Sequence, residues 1–177
     1  MKKIYKIKFV NIFLEDFCYK KKKFKNFHKV FLNNAVMAII TNMDNQILLT
    51  QEYRRGVKSV VYGFPGGHMS QKETPLQAIK REVKEETGLN CKKWKRILTY
   101  VKDSTYFCGR DYLFYAKYPY KNFKNKVFKC NEIENLSWVS IDKFRNILIN
   151  ANNSAGFLAS GYYFLEKIYF KSPILKR

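Results

Sequence analysis

A short segment with strong helix-end signals imposes the tightest constraint on how this chain folds. Thr74 is a good N-cap residue, and Pro75 suits the first helical position, where its missing N–H leaves no hydrogen bond unmade. Gln77 stands three residues after Thr74 and can complete a capping box, while Gly88 is a natural helix end. We therefore predict a helix over residues 75–87.

Three carboxylates are grouped on one side of this predicted helix. Glu82, Glu85 and Glu86 stand at i, i+3 and i+4, beside a stripe of apolar residues at helical spacing. The stripe consists of Leu76, Ile79 and Val83. The carboxylates repel one another near the helix C-terminus, and Arg81 can pair with Glu85 without neutralising all three. Oxygen ligands of this kind suit Mg²⁺ or Mn²⁺, so we predict a metal site; the alternative is a solvated acidic face.

Composition indicates one folded domain with a strongly positive field. The chain has 177 residues, 46% of them hydrophobic, which is enough for a single core. Its net charge is +20, from 34 Lys and Arg against 14 Asp and Glu, and such a field attracts nucleotides or RNA. Basic residues are spread along the whole chain rather than confined to one tail, so we favour a compositional bias as the source of the charge.

The cysteines and the apolar segments predict a cytoplasmic protein without a membrane partner. The four cysteines form no C-x-x-C pair, and with two histidines they do not match a zinc finger, so we expect reduced thiols. Lys6 and Lys8 interrupt any apolar segment after the start, which argues against a signal peptide. The uncharged stretch 146–165 is too polar to span a membrane.

The remaining pattern predicts alternating strands and helices. Residues 1–33 alternate apolar and basic positions, which favours strands joined by a basic turn at Lys20–Lys23. Further strands are predicted over 35–40, 46–51, 59–62, 94–101, 112–117 and 136–139, with helices over 140–149 and 154–170. This order indicates an α/β fold in which helices cover both faces of a mixed sheet.

With these residues identified, the chain resembles the Nudix hydrolases. Its segment 67–89 matches the family signature at Gly67, Glu73, Arg81, Glu82, Val83, Glu85, Glu86, Gly88 and Leu89. A chance match has a probability of about 10⁻⁹ per starting position at average residue frequencies. The resemblance covers residues 34–145 and implies a Nudix-type α/β/α sandwich with a central mixed β-sheet and a loop-helix-loop catalytic motif. It would make residues 1–177 one Nudix domain, with 34–170 as its catalytic core.

The resemblance also implies roles for individual residues. Glu82, Glu85 and Glu86 would be metal ligands, together with the carbonyl of Gly66. Arg81 would orient a ligand carboxylate. Glu73, Gly67 and Gly88 would be structural: Glu73 bracing the loop, Gly67 forming a tight turn, and Gly88 ending the helix.

The general base stays open among three glutamates. A carboxylate must accept the proton of the attacking water. Glu85 is one candidate within the helix, and Glu132 and Glu134 occupy the later region where the base often lies in members acting on ADP-ribose. We favour Glu132 over Glu134; an exposed pair of acids on an edge strand is the alternative for both.

Substrate class is indicated by the flanking residues. The segment Gln51–Arg55 resembles that of ADP-ribose and sugar-nucleotide pyrophosphatases, where Arg54 would clamp a phosphate. Asp103–Tyr106 stands where that branch usually has a proline. A tyrosine at this place, here Tyr106, resembles the pattern of members that act on dinucleoside polyphosphates, and Tyr106 is a candidate for stacking on a base.

Three hypotheses follow: cleavage of ADP-ribose or a nucleotide sugar, cleavage of polyphosphates or RNA 5′-ends, and a non-catalytic nucleotide sensor. Because members of the ADP-ribose branch often dimerise through N-terminal strands, residues 1–33 are also a candidate dimer element.

Overall fold

The N-terminal strands form a sheet of their own. The computed structural model describes residues 2–7, 10–101, 104–121, 133–150 and 154–167. Strands β1 (Lys2–Ile7), β2 (Val10–Tyr19) and β3 (Lys22–Leu32) pair antiparallel in that order. Lys20 and Lys21 have φ of 47° and 63°, the left-handed values of the two-residue hairpin turns that match strand twist. The predicted strands and basic turn are confirmed.

Among the described residues, seven strands form a mixed sheet at the centre of the protein. Its strands are β4 (Ala35–Thr41), β5 (Ile47–Arg54), β6 (Ser59–Gly63), β7 (Gly66–His68), β8 (Lys92–Val101), β9 (Arg110–Lys117) and β10 (Ile133–Val139). The main order is β10-β5-β4-β9-β8, with β6 paired to β5 and β7 to β4. Strands β4 and β9 run parallel, whereas the other pairs are antiparallel. The predicted strands are present, and Gly66–His68, interpreted from the sequence as a turn, forms an additional short strand.

Helices cover both faces of this sheet. Helix α1 (Pro75–Thr87) packs on one face, and α2 (Ile141–Asn150) and α3 (Phe157–Leu165) belong to the core of the other. Strand β4 shows why both faces are apolar, because it is buried on both sides. Its residues Val36, Ala38 and Ile40 join the α1 cluster, whereas Met37 and Ile39 join the α2–α3 cluster. The predicted α/β/α sandwich is confirmed.

Helix α1 has the ends that its sequence predicts. The Thr74 hydroxyl accepts from the Gln77 N–H, and the Gln77 side chain accepts from the Thr74 N–H at 2.9 Å, which completes the capping box. Gly88 is left-handed, with φ 63°, and its N–H donates to the Lys84 carbonyl at 3.0 Å. The prediction of a buried stripe was wrong for Leu76, which is 40% exposed although Ala78 in the same turn is fully buried, because the buried face of the helix starts with Ala78 and Ile79. The buried positions are Ala78, Ile79, Val83, Glu86 and Thr87.

Backbone hydrogen bonds connect the N-terminal sheet to the loop before β9. The Val30 N–H donates to the Tyr106 carbonyl, and the Cys108 N–H donates to the Val30 carbonyl, both at 2.8 Å. Asn34 links this junction to the loop after β7, since its side chain accepts from the Arg110 N–H and its carbonyl from the Met69 N–H, each at 2.9 Å. None of the helices in the described residues combines the length and the apolar character that are needed to span a membrane.

Candidate active site

A cleft of about 660 Å³ opens where β4, β5 and β7 meet helix α1. Five residues selected from the sequence line it: Arg54, Gly66, Gly67, Glu82 and Glu86. Its volume is within the range of about 300–1,000 Å³ for small-molecule sites. The end of β5, the glycine pair at β7 and one side of α1 therefore line the same cleft.

The two glycines allow the main chain to approach the helix carboxylates. The Gly66 N–H donates to Glu86 Oε2 at 2.8 Å. A Cβ atom on Gly67 would lie 2.6 Å from the carboxyl carbon of Glu82, and one on Gly66 would collide with the main-chain oxygen of Val36. Any side chain at either position would therefore displace β4 or the carboxylates, which explains why glycines are needed here.

Arg81 connects the loop before the helix to the carboxylates on it. Its guanidinium holds both oxygens of Glu73, with Nε to Oε1 at 2.6 Å and Nη2 to Oε2 at 3.0 Å. Its Nη1 donates to Glu82 at 2.9 Å and to Glu85 at 3.0 Å. Glu73 also accepts from the Ser70 N–H at 3.0 Å, and the Arg81 hydrogen bonds lower the pKa of Glu73 to about 2. One guanidinium thus orients three carboxylates.

Glu52 is a site residue to which sequence reasoning assigned no role. It is only 4% exposed and lines the cleft beside Arg54 and Glu86. The Thr50 hydroxyl donates to its Oε1 at 2.9 Å, and Arg54 Nη2 stands 2.6 Å from its Oε2. The sequence signal for Glu52 was its position in the strand. Side chains alternate along a strand, so Glu52 lies on the buried side and its neighbour Tyr53 on the exposed side.

The carboxylates of the cleft carry more negative charge than their surroundings stabilise. Burial raises the pKa of Glu86 to about 8, and the neighbouring Glu52 and Glu82 add to this effect against the Gly66 hydrogen bond and Arg54. Burial also raises the pKa of Glu82, although Arg81 opposes the shift. A bound cation would relieve both effects, because it stabilises the ionised form.

The donor set fits a hard divalent cation held by few protein ligands. Glu82 and Glu86 offer carboxylate oxygens in the cleft, and Mg²⁺ typically takes one or two carboxylates together with waters and substrate phosphate. In the described part of the chain, no three acidic, histidine or cysteine side chains converge into a complete metal cage. The Glu85 side chain is 57% exposed and bonded to Arg81, and it is not among the residues that line the cleft.

Three other candidates stand apart from the cleft or outside the described structure. Tyr106 does not reach the cleft: its ring stacks on Phe27 with centroids 5.7 Å apart. Glu134 is exposed on β10, at a bulge between the residues paired to Glu52 and Gln51. Glu132 lies outside the described residues.

Other residues that line the cleft were not singled out from the sequence. Asp111 at the start of β9 is 4% exposed, and its strand neighbour Tyr100 has a pKa raised to about 12 by burial and by Asp111. Phe64 and Phe157 add aromatic surface, with ring centroids 6.0 Å apart. No short motif marks these residues, because they come from three distant segments of the chain.

Comparison with known proteins places this geometry in a family. A model of the NUDIX domain matches residues 32–160. The chain is 40% identical over 57 residues to 8-oxo-dGDP phosphatase NUDT18 of Homo sapiens, which covers 32% of the chain and 17% of that protein. It is 27% identical over 124 residues to the m7GpppN-mRNA hydrolase dcap-2 of Caenorhabditis elegans, covering 68% of the chain and 15% of that protein.

A third relative is the 8-oxo-dGTP diphosphatase of Escherichia coli, with 38% identity over 53 residues, 30% of the chain and 41% of that protein. The chain thus spans less than half the length of each of these three relatives. None of the three names mentions ADP-ribose. The domain match covers most of the chain and includes the glycine pair and the helix carboxylates, so this chain belongs to the Nudix family.

Proposed function

We propose that this protein is a metal-dependent pyrophosphohydrolase that cleaves the phosphoanhydride bond of a nucleoside diphosphate derivative. The observation that carries the proposal is the joining of Glu82 and Glu86 with Arg54 around one cleft. Buried carboxylates supply ligands for a divalent cation, and an arginine beside them supplies a bidentate donor for phosphate. Together, a cation and an arginine stabilise the negative charge that develops on phosphate oxygens during phosphoryl transfer.

The protein residues would act mainly by positioning. When bound, Mg²⁺ or Mn²⁺ would neutralise phosphate charge and acidify a water molecule. Glu82 and Glu86 would hold the ion, with Glu85 and the Gly66 carbonyl as further ligands. Arg81 would keep Glu82 and Glu85 in place, and Glu73 would keep Arg81 on the loop. Arg54, oriented by Glu52, would hold a substrate phosphate.

We propose that one of three glutamates, Glu85, Glu132 or Glu134, acts as the general base. Glu85 is on the catalytic helix, one turn after Arg81. Replacing each by Gln and measuring the pH dependence of kcat separates them, because loss of the base removes the acidic limb of the profile, the rise of kcat with pH as the base ionises. The Gln variant that loses this dependence while keeping KM identifies the base.

ADP-ribose or a nucleotide sugar is the first substrate class that we propose. Its support is Arg54, which lies in the segment resembling that branch and lines the cleft. Such a substrate would yield a nucleoside monophosphate and a sugar phosphate.

A second candidate is supported by the relatives. Two of them are named for 8-oxo-dGDP or 8-oxo-dGTP and one for capped mRNA. Nucleoside di- and triphosphates, dinucleoside polyphosphates or RNA 5′-ends are therefore the alternative substrate class. In that case Tyr100, Phe157 and the buried Asp111 would contact the base rather than a second sugar.

A product-resolved hydrolysis panel with Mg²⁺ and with Mn²⁺ tests the proposal. It would contain ADP-ribose, sugar nucleotides, dinucleoside polyphosphates, nucleoside triphosphates, 8-oxo-dGDP and capped or triphosphorylated RNA. Glu86→Gln and Glu85→Gln provide the expected inactive variants, and Glu15→Gln on the distant N-terminal sheet is the matched control. Unchanged turnover in both helix variants would refute the site. No turnover on any substrate by a folded, metal-loaded protein would favour the non-catalytic nucleotide-sensing role.

The remaining expectations concern location and assembly. We propose a cytoplasmic protein whose main partner is a nucleotide. Dimerisation through residues 1–33 stays a prediction that light scattering tests directly, with a doubled mass as the expected result.

A further inference from the structure

A row of stacked aromatic rings lies on one face of the N-terminal sheet. The register of β2 and β3 sets Phe17 opposite Phe24, and Glu15 opposite Phe27, so these side chains share a face. The Phe17 and Phe24 rings stack with centroids 4.9 Å apart, and Phe17 meets Phe27 edge to face at 5.3 Å. Tyr106 continues the row by stacking on Phe27. We call these four rings the aromatic ladder.

The aromatic ladder is open to solvent. Phe17 is 36% exposed, Phe24 42% and Tyr106 48%, although large aromatic side chains usually bury most of their surface. Beside the ladder is a groove of about 460 Å³, lined by Phe17, Phe27 and Tyr106 together with the Glu15–Lys29 ion pair. None of the described residues that line this groove also lines the catalytic cleft. It has room for a planar group next to the rings.

Positive charge surrounds the ladder. Residues 1–32 contain ten lysines and only two acidic residues. Both acids are already engaged, since Glu15 accepts from Lys29 and Asp16 accepts from the Asn26 N–H, each at 2.8 Å. The lysines at 20–23 lie in the hairpin turn and at the start of β3, and alternation along β3 puts Lys22 on the same face as Phe24. The remaining lysines therefore produce a field that attracts a polyanion.

We propose that the aromatic ladder binds single-stranded nucleic acid. Bases would stack on the exposed rings, and the lysines of the turn would contact the phosphates, which is the arrangement of sequence-tolerant single-strand binding. Pairing of two copies through this face is disfavoured, because it would bring two positively charged surfaces together, so a dimer formed through residues 1–33 would have to use another surface of the N-terminal sheet. The inference does not depend on the proposed hydrolysis, since ladder and cleft are separate surfaces.

Fluorescence anisotropy of the full chain with labelled oligouridylate and oligothymidylate tests this inference. With strands of about twelve nucleotides, we expect Phe17→Ala/Phe24→Ala to weaken binding at least about tenfold. Phe17→Tyr/Phe24→Tyr keeps the rings and should retain binding. Tyr163→Ala is the matched control, because Tyr163 is an exposed aromatic residue on α3, at 57% exposure. Lys20→Gln/Lys22→Gln should reduce the salt dependence by about 0.7 in logarithmic slope for each lost phosphate contact, because Lys22 shares the face of Phe24 and Lys20 lies over the Tyr19 ring on that face.

Several outcomes would overturn the inference. One is a lack of binding at about 50 mM salt, where phosphate contacts are strong. Another is undiminished affinity in a folded alanine variant. If the alanine variant does not fold, Phe17→Leu/Phe24→Leu replaces it, because leucine keeps apolar bulk without ring stacking. Undiminished affinity in the folded leucine variant would then overturn the inference. Binding to vesicles of anionic lipid, or dimerisation through the ladder, would overturn the inference if oligonucleotides fail to bind. Turnover of small nucleotides should be the same in all ladder variants, so the two proposals fail separately.

Discussion

Replacing Glu86 by Gln should stabilise the metal-free protein at alkaline pH. Glu86 is 8% exposed, and burial raises its pKa from 4.5 to about 8. Below pH 4.5 the carboxyl group is protonated in both folded and unfolded chains, so it contributes no pH dependence there. Between pH 4.5 and 8 the unfolded chain releases the proton more readily. The free energy of unfolding therefore falls across this window and levels off above it.

The size of the effect follows from the two pKa values. Their difference corresponds to at most about 5 kcal/mol of lost stability above pH 8. Gln keeps an oxygen that can accept the Gly66 hydrogen bond, so we expect the variant to recover about 2–5 kcal/mol at pH 8.5. For a chain of this length that recovery raises Tm by roughly 4–20 °C.

Urea denaturation in EDTA at pH 5.0 and pH 8.5 measures this difference. Glu85→Gln is the control, because its side chain is 57% exposed and its removal should change stability by less than about 1 kcal/mol. Adding Mg²⁺ at pH 8.5 should stabilise the parent protein more than Glu86→Gln, since the ion would offset the buried charge. Equal stability differences at both pH values, or a variant less stable at pH 8.5, would refute this account of the cleft.

Three further predictions follow from the packing around the cleft. Ile79→Ala should lower the free energy of unfolding by about 2–5 kcal/mol in urea, because the Ile79 side chain on α1 is fully buried in the core that the helix forms with β4; a loss below 1 kcal/mol would contradict its core role. Gly67→Ala should reduce kcat at least about tenfold by displacing Glu82, with unchanged circular dichroism, and wild-type kcat would disprove the close approach. Glu52→Gln should raise KM more than it lowers kcat, because it loosens Arg54; an effect confined to kcat would assign Glu52 a chemical role instead.

Helix α1 shows what could be predicted from sequence and where prediction stops. Its ends depend on Thr74, Pro75, Gln77 and Gly88, which interact only with neighbours a few residues away, so the printed sequence was sufficient. Leu76 stands at helical spacing from the buried Ile79, but it is exposed, because burial depends on what packs against each position in the assembled fold, which local periodicity does not encode. The strands were predicted in place and missed mainly at their ends.

The candidate site divides in the same way. Glu82, Glu86, Arg81 and Gly67 form one local motif, so their grouping followed from spacing along the helix and loop. Glu52, Asp111 and Phe157 reach the cleft only through sheet register and helix packing. Such long-range pairing is a property of the assembled fold, and no short sequence window contains it.

The hydrogen bonds of Val30 to the loop before β9 have a practical consequence for anyone who shortens this chain. The family match begins at residue 32, which invites removal of everything before it. Such a cut would take away the partner of the Tyr106 carbonyl and the Cys108 N–H. It would also uncover the Phe27 side of the Tyr106 ring. The shortened protein would then present unpaired backbone next to exposed aromatic surface, the combination that templates strand addition between molecules. We therefore expect the shortened protein to be poorly soluble, although its cleft would still be intact.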